Sequence, residues 1–153
     1  PRTLPPMADI AAALDRFVAA FNTNDLDLVM EHFAVDAEYL PGDGSRHVGL
    51  TAIRREFEPQ FRGAYGAMTF EEHDRIIDAA ARKATIRWTC RHDIRGRRSP
   101  APLLGLATRL VAVVYPRFGW EGLDVFHFDA HGKVTGKYSY SNYVLPRISR
   151  KLG

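Results

Sequence analysis

"GLDVFHFDAHGK", residues 122–133, reads as a strand running into a tight turn. Side chains in a strand alternate faces. Asp124, Phe126 and Phe128 therefore share one face, and Leu123, Val125 and His127 share the other. Both faces carry apolar residues, and a carboxylate sits two positions from a phenylalanine on the first of them. Gly132 suits the left-handed position of a hairpin turn, so Trp120–Phe128 and Val134–Val144 pair as two strands joined by "DAHG".

Working outward, Met68–Asp78 and Lys83–Ile94 are two further strands joined by a short alanine-rich turn. The first sixty residues read differently. Ile10, Leu14, Phe17, Val18 and Phe21 recur at helical spacing over 9–23. Asp25 can cap a second short helix with Leu26, Val29, Met30 and Phe33 as its apolar stripe. A short strand, Glu38–Leu40, stops at "PGDG", and a third helix spans about Thr51 to Glu58, with Pro59 favouring its end. Helices followed by an antiparallel meander predict an α+β domain with helices packed on one face of a curved sheet. Residues 96–119 interrupt the meander; Thr108–Tyr115 reads as an added or lengthened strand, with a lid or a piece of dimer interface as the alternative.

The 153 residues are 46% hydrophobic, which is enough for one sizeable core, so a single domain over 1–153 is expected, with 1–8 and 146–153 as tails. The formal charge of +3 is spread out; its densest clusters are Arg95, Arg97 and Arg98, then Arg147, Arg150 and Lys151. That footprint is weak for nucleic acid, and no nucleic-acid partner is expected. The longest apolar run, Leu103 to Tyr115, is broken by Arg109 and falls short of the ~20 residues a membrane span needs. No membrane partner is expected either. "PRTLPPMADI" lacks the apolar core of a secretory signal, and Met7 can serve as a start. The single cysteine, Cys90, excludes an internal disulfide and a cysteine-based zinc site; it suits a reducing, cytoplasmic compartment. The six histidines, His32, His47, His73, His92, His127 and His131, show no metal-ligand spacing, so neither metal nor cofactor is expected.

"RFVAAFNTNDLDLVMEHFAVDAEYLPGDG", "HVGLTAIRREF" and "GLDVFHFDAHGKV" together resemble the NTF2-like superfamily, in its SnoaL-like and ketosteroid-isomerase-like branch. The resemblance covers roughly 10–62 and 120–143. It implies a cone: N-terminal helices on a curved, mostly antiparallel sheet, a pocket between them, and commonly a homodimer through the outer sheet face. The scaffold hosts many chemistries, so function must be argued from the site.

Matched to ketosteroid isomerase, the tyrosine position falls on Phe17 and the base position on Pro41, while only the buried acid is kept, as Asp124. Steroid isomerisation by that mechanism is not expected. Arg91-His92-Asp93 resembles the arginine–aspartate strand motif of limonene-epoxide-hydrolase-like proteins, but the second aspartate falls near Ser139 or Asn142, neither acidic. Other branches use aspartate or histidine as acid or base in the same cone. Here those candidates are Asp124 and His92, which shares a face with Trp88 and Cys90; His47 is placed at a pocket mouth, and His127 faces away from Asp124.

Asp124 has three possible states: a desolvated acid able to donate a proton, a paired carboxylate, or a solvated rim residue. The turn decides its partner. A four-residue loop sets Lys137 opposite; a three-residue loop sets Tyr138 there. The remaining pocket candidates are Phe17, Phe21, Tyr39, Phe57, Phe61, Trp88 and Trp120. Such a lining suits a flat, mostly apolar ligand. The expected function is a small-molecule pocket protein, an acid–base isomerase, cyclase or dehydratase acting on a hydrophobic cyclic substrate. The alternatives are a non-catalytic binding or dimerisation module and, more weakly, an epoxide-hydrolase-like enzyme.

Overall fold

The computed structural model describes residues 8–64, 66–93, 117–141 and 147–149. Helix α1, Ile10–Asn22, begins where the Asp9 carboxylate accepts from the Ala12 N–H at 3.2 Å. It buries Ile10, Ala13, Leu14, Phe17, Ala20 and Phe21, the stripe its spacing predicts. Asp25 caps α2, Leu26–Met30, in the same way. Helix α3, Leu50–Phe61, buries Ile53 and Phe57 and runs through Pro59 rather than ending there. Pro59 removes a single backbone donor close to the helix end. The aromatic contacts of Phe61 with Phe21 (5.2 Å) and Phe57 (6.0 Å) hold that last turn.

Seven strands form one sheet: β1 Phe33–Leu40, β2 His47–Val48, β3 Ala67–Asp78, β4 Lys83–Asp93, β5 Arg117–Phe128, β6 Val134–Ser141 and β7 Arg147–Ser149. Their order is β2-β1-β6-β5-β4-β3, with β7 also pairing β5. Among the described residues, β1–β6 is the one parallel pairing. The architecture is therefore the α+β cone expected of the sequence. Strand β1 starts five residues before the expected Glu38, because its register slips between Phe33 and Glu38 and breaks the alternation that marks a strand. Within the expected C-terminal tail, Arg147–Ser149 pairs with Arg117–Gly119. Residues 117–119 extend β5; the rest of the 96–116 stretch, with its expected strand or lid, and residues 142–146 lie outside the described residues. Among the described residues no helix is long and apolar enough to cross a membrane.

The helices cover one sheet face. Phe17 meets Phe126 edge-on at 5.1 Å and Phe33 at 5.6 Å, and Phe21 meets Phe70 at 5.5 Å. Phe126, Ile86 and Val134 are fully buried on that face. The other face is wetter: Ile76 and Tyr140 are mostly exposed there.

Candidate functional site

Asp124 is fully buried on the helix-covered face, between Phe126 along its own strand and Ile86 on β4. The solvated reading is thus excluded. The register sets Ser139, not Lys137 or Tyr138, directly opposite Asp124, and Lys137 opposite Phe126. The Asp129 N–H bonds the Lys133 carbonyl and Phe128 pairs with Val134, which is the register of the three-residue loop; Asp129 Oδ1 accepts from His131 and Lys133 within it. A register irregularity at His127/Phe128 then shifts β6 by one residue more, and this brings Ser139 rather than Tyr138 opposite Asp124.

Lys137 still reaches Asp124 diagonally. Its Nζ lies 2.8 Å from Oδ2, and both side chains are almost wholly buried. The ammonium donates to Ser139 Oγ at 2.7 Å. It sits 5.0 Å from the Tyr39 ring centre and 5.6 Å from that of Phe126, within cation–π range. Asp124 Oδ1 has no hydrogen-bond partner among the described residues, and nor does the Trp88 indole N–H. Gly122 makes room for that indole: a Cβ there would lie 2.6 Å from the Trp88 ring. Asp124, Lys137 and Ser139 thus form one polar island, with Tyr39, Phe126 and Trp88 nearby. The contact with the Lys137 ammonium is the arrangement of the second, paired reading of Asp124.

Six residues along β4 from Ile86, or about 20 Å of strand, lies His92. It is buried, with Nε2 3.5 Å from Cys90 Sγ and its ring edge-on to Trp120 at 5.0 Å. His92 and Trp120 therefore occupy the far end of the face from Asp124. Burial pushes the Cys90 thiol up to about 12, with Lys137 opposing and Asp124 adding to the shift.

Tyr138 belongs to the opposite face. Its hydroxyl donates to Glu38 Oε2 at 3.2 Å and its ring meets His127 at 5.1 Å, so it is not an inner-face residue. Phe17, Phe21, Phe57 and Phe61 pack on one another as core. Arg91 pairs with Glu71 at 2.8 Å on the exposed side, which removes the arginine an epoxide-hydrolase-like site would need on the inner face. His47 bridges Ser45 Oγ (2.9 Å) and Glu56 Oε2 (3.3 Å). No cluster of histidine, cysteine and carboxylate groups among the described residues is arranged to hold a metal ion.

Beside the island, Tyr39, Pro41, Asp43, Glu56, Phe57, Pro59 and Gln60 line an open cleft of about 290 Å³. Sequence reasoning missed Ser139 as a partner, and missed Asp43, Glu56 and Gln60 altogether. The "PGDG" turn was the available signal: Gly42, at φ +93, lies so close to β6 that a Cβ would stand 2.5 Å from the Ser139 carbonyl oxygen.

The profile of the SnoaL-like domain matches residues 14–136. No curated protein sequence matches significantly. Among solved structures, the chain is similar to SalBIII, described as an epoxide hydrolase/cyclase-like enzyme in pyran ring formation in the polyether salinomycin. The TM-score is 0.70 at 15% identity, over 92% of this chain and 95% of that one. It is also similar to AclR from Streptomyces galilaeus, with TM-score 0.64 at 18% identity over 90% and 81%. A third is RV0760c from Mycobacterium tuberculosis in complex with estradiol-17β-hemisuccinate, with TM-score 0.66 at 12% identity over 91% and 98%. At these identities the likeness concerns the fold.

Proposed function

The chain belongs to the SnoaL-like domain family, and on that premise we propose that it is a small-molecule pocket protein that performs general-base chemistry on a hydrophobic cyclic substrate, without a cofactor. One observation carries this reading: a fully buried carboxylate, Asp124, whose Oδ1 has no hydrogen-bond partner among the described residues, beside an ammonium and a hydroxyl. Leaving a buried acceptor unpaired costs about 1–3 kcal/mol. Folds keep such groups where function uses them.

The chemistry follows from the geometry. A substrate carbonyl oxygen would accept from Lys137 Nζ and from the Ser139 hydroxyl, whose oxygen already accepts from that lysine. Asp124 Oδ1 would take the proton from the adjacent carbon. The negative charge then develops on the carbonyl oxygen, beside the ammonium. Returning the proton to another carbon gives isomerisation; attack of the deprotonated carbon on a second carbonyl carbon closes a ring, and the new alkoxide oxygen takes the proton back from Asp124. A flat, apolar substrate suits the Tyr39, Phe126 and Trp88 rings near the island and agrees with the cyclic compounds named for SalBIII and RV0760c. His92 is proposed for a secondary role only, at the far end of the face. The second reading is a non-catalytic ligand-binding module. It is favoured by the ion pair of Lys137 with Asp124 Oδ2 and the lysine's bond to Ser139 Oγ, which a purely structural island would also show.

The proposal includes a homodimer through the outer sheet face. Ile76, Thr85, Val125 and Tyr138 follow one another in register across it, with Leu123 and Tyr140 alongside. Light scattering at micromolar concentration should give twice the chain mass. The unpaired Cys90 suits the cytoplasm. The functional test is a panel of flat cyclic ketones and enones, followed by tryptophan fluorescence and product formation. Binding with conversion supports the enzyme, binding alone supports the module, and no binding overturns both.

A further inference from the structure

Asp124 is not alone on the inner face in holding a buried polar atom without a partner. Trp88, Gly122 and Ser141 stand in one row across β4, β5 and β6, and Ile86, Asp124 and Ser139 stand in the next. Trp88 is 5% exposed, and its Nε1 has no hydrogen-bond partner among the described residues. The Ser141 Oγ, at the other end of the same row, is buried and unpartnered as well. Gly122 places no side chain between them, and the Cζ2 edge of the indole, the edge next to Nε1, lies over it.

These atoms differ in kind. The Trp88 indole N–H only donates, the Asp124 carboxylate only accepts, and the Ser141 hydroxyl does either. Lys137 and Ser139 supply donors on one side of Asp124. Trp88 and Ser141 supply them on the other, one row away. Rows on one face are about 7 Å apart, which a single ring edge spans with a hydrogen bond at each end. The ion pair with Lys137 has no use for this second set, and a buried donor left unpaired lowers stability.

Resting on the reading of Asp124 as a general base, we infer that Trp88 and Ser141 form a second oxygen-binding pair and that the substrate is a flat cyclic 1,3-dicarbonyl. One carbonyl oxygen accepts from Lys137 and Ser139, and the other accepts from the Trp88 indole N–H and the Ser141 hydroxyl. The carbon between the two carbonyls faces Asp124 Oδ1. Its proton passes to that oxygen, and the C–H electron pair becomes an enolate shared by both carbonyl oxygens, each with its donors in place.

The test uses phthalimide, whose N–H stands where the acidic C–H would and is flanked by two carbonyls. Isoindolin-1-one lacks one carbonyl, and N-methylphthalimide lacks the N–H. Isothermal titration calorimetry should rank phthalimide above isoindolin-1-one by about tenfold or more, because the lactam gives its one carbonyl to the charged Lys137 and leaves Trp88 unpaired. N-methylphthalimide should bind last. Trp88→Phe/Ser141→Ala, shown folded by its thermal melt, should bind imide and lactam alike. The wild-type protein tests the same contact by NMR: phthalimide should move the Trp88 indole N–H signal downfield, and the lactam should leave it in place. Equal binding of imide and lactam by the wild type, no binding of the imide, a preference that survives the double variant, or an indole signal unmoved by phthalimide would overturn the inference. The general-base reading is scored on proton exchange with a mono-ketone, which needs Lys137 and Ser139 but not the second pair, so each can fail without the other.

Discussion

Replacing Lys137 by methionine keeps its aliphatic stem against Tyr39 and Phe126 but removes the charge beside Asp124. At 2.8 Å and an effective dielectric constant of about 20, the gross attraction of the pair is roughly 6 kcal/mol. Desolvation of two buried ions offsets most of that, so the intact pair adds little net stability. Breaking it is different, because Asp124 stays fully buried with no counter-charge. The expected loss is about 3–5 kcal/mol. For a chain of this size that is a fall in Tm of roughly 6–20 °C. Asp124→Leu/Lys137→Met should recover most of the loss, since an apolar pair carries no desolvation penalty. Urea unfolding of the wild type, both single variants and the double variant gives the coupling energy, provided the m-values agree. A loss below about 1 kcal/mol for Lys137→Met, or a coupling near zero, would refute the reasoning.

Other consequences can be measured alongside. His32 is held below 6.5, first by burial and then by Lys133 and Arg16, and His127 is held below it by burial and Lys83. The unfolded chain therefore binds more protons just below that value, so stability should fall as pH drops from 7 through 6; His32→Gln should flatten the slope in urea titrations at several pH values. Cys90, pushed up to about 12 and buried, should not react with a disulfide reagent at pH 8 until the chain is unfolded, and fast labelling of the native protein would contradict its placement. Gly42→Ala sets a Cβ 2.5 Å from a backbone oxygen at a positive φ. It should cost about 2 kcal/mol or more in urea unfolding; unchanged stability would mean the turn does not pack on β6 as described.

The inner face of β5 was legible because strand alternation is strict: Asp124 and Phe126 had to share it. The α1 stripe was equally plain. The partner of Asp124 was legible only as a choice between two turns, and the irregularity at His127/Phe128 that moves the register past both is not fixed by residue types alone. Lys137 reaches Asp124 by a diagonal contact that neither expected loop described. The run of α3 past Pro59 depends on Phe61 meeting Phe21, a contact between segments forty residues apart. His92 was a second acid–base candidate because it shares a face with Trp88 and Cys90, and sharing a face says nothing of its distance from Asp124 along the strand. The acidic cleft was hidden for a related reason. Asp43 and Glu56 come from a turn and a helix that only the folded chain brings together.

The most direct test of the account is solvent hydrogen exchange at the carbon next to a cyclic ketone. With 2-tetralone in heavy water, NMR follows loss of the α-proton signal for the wild type and for Asp124→Asn, both first shown to be folded. The account predicts exchange above the buffer rate with the wild type and a loss of about a hundredfold or more in the variant. Equal rates for the two proteins would contradict it and leave Asp124 a structural member of the ion pair.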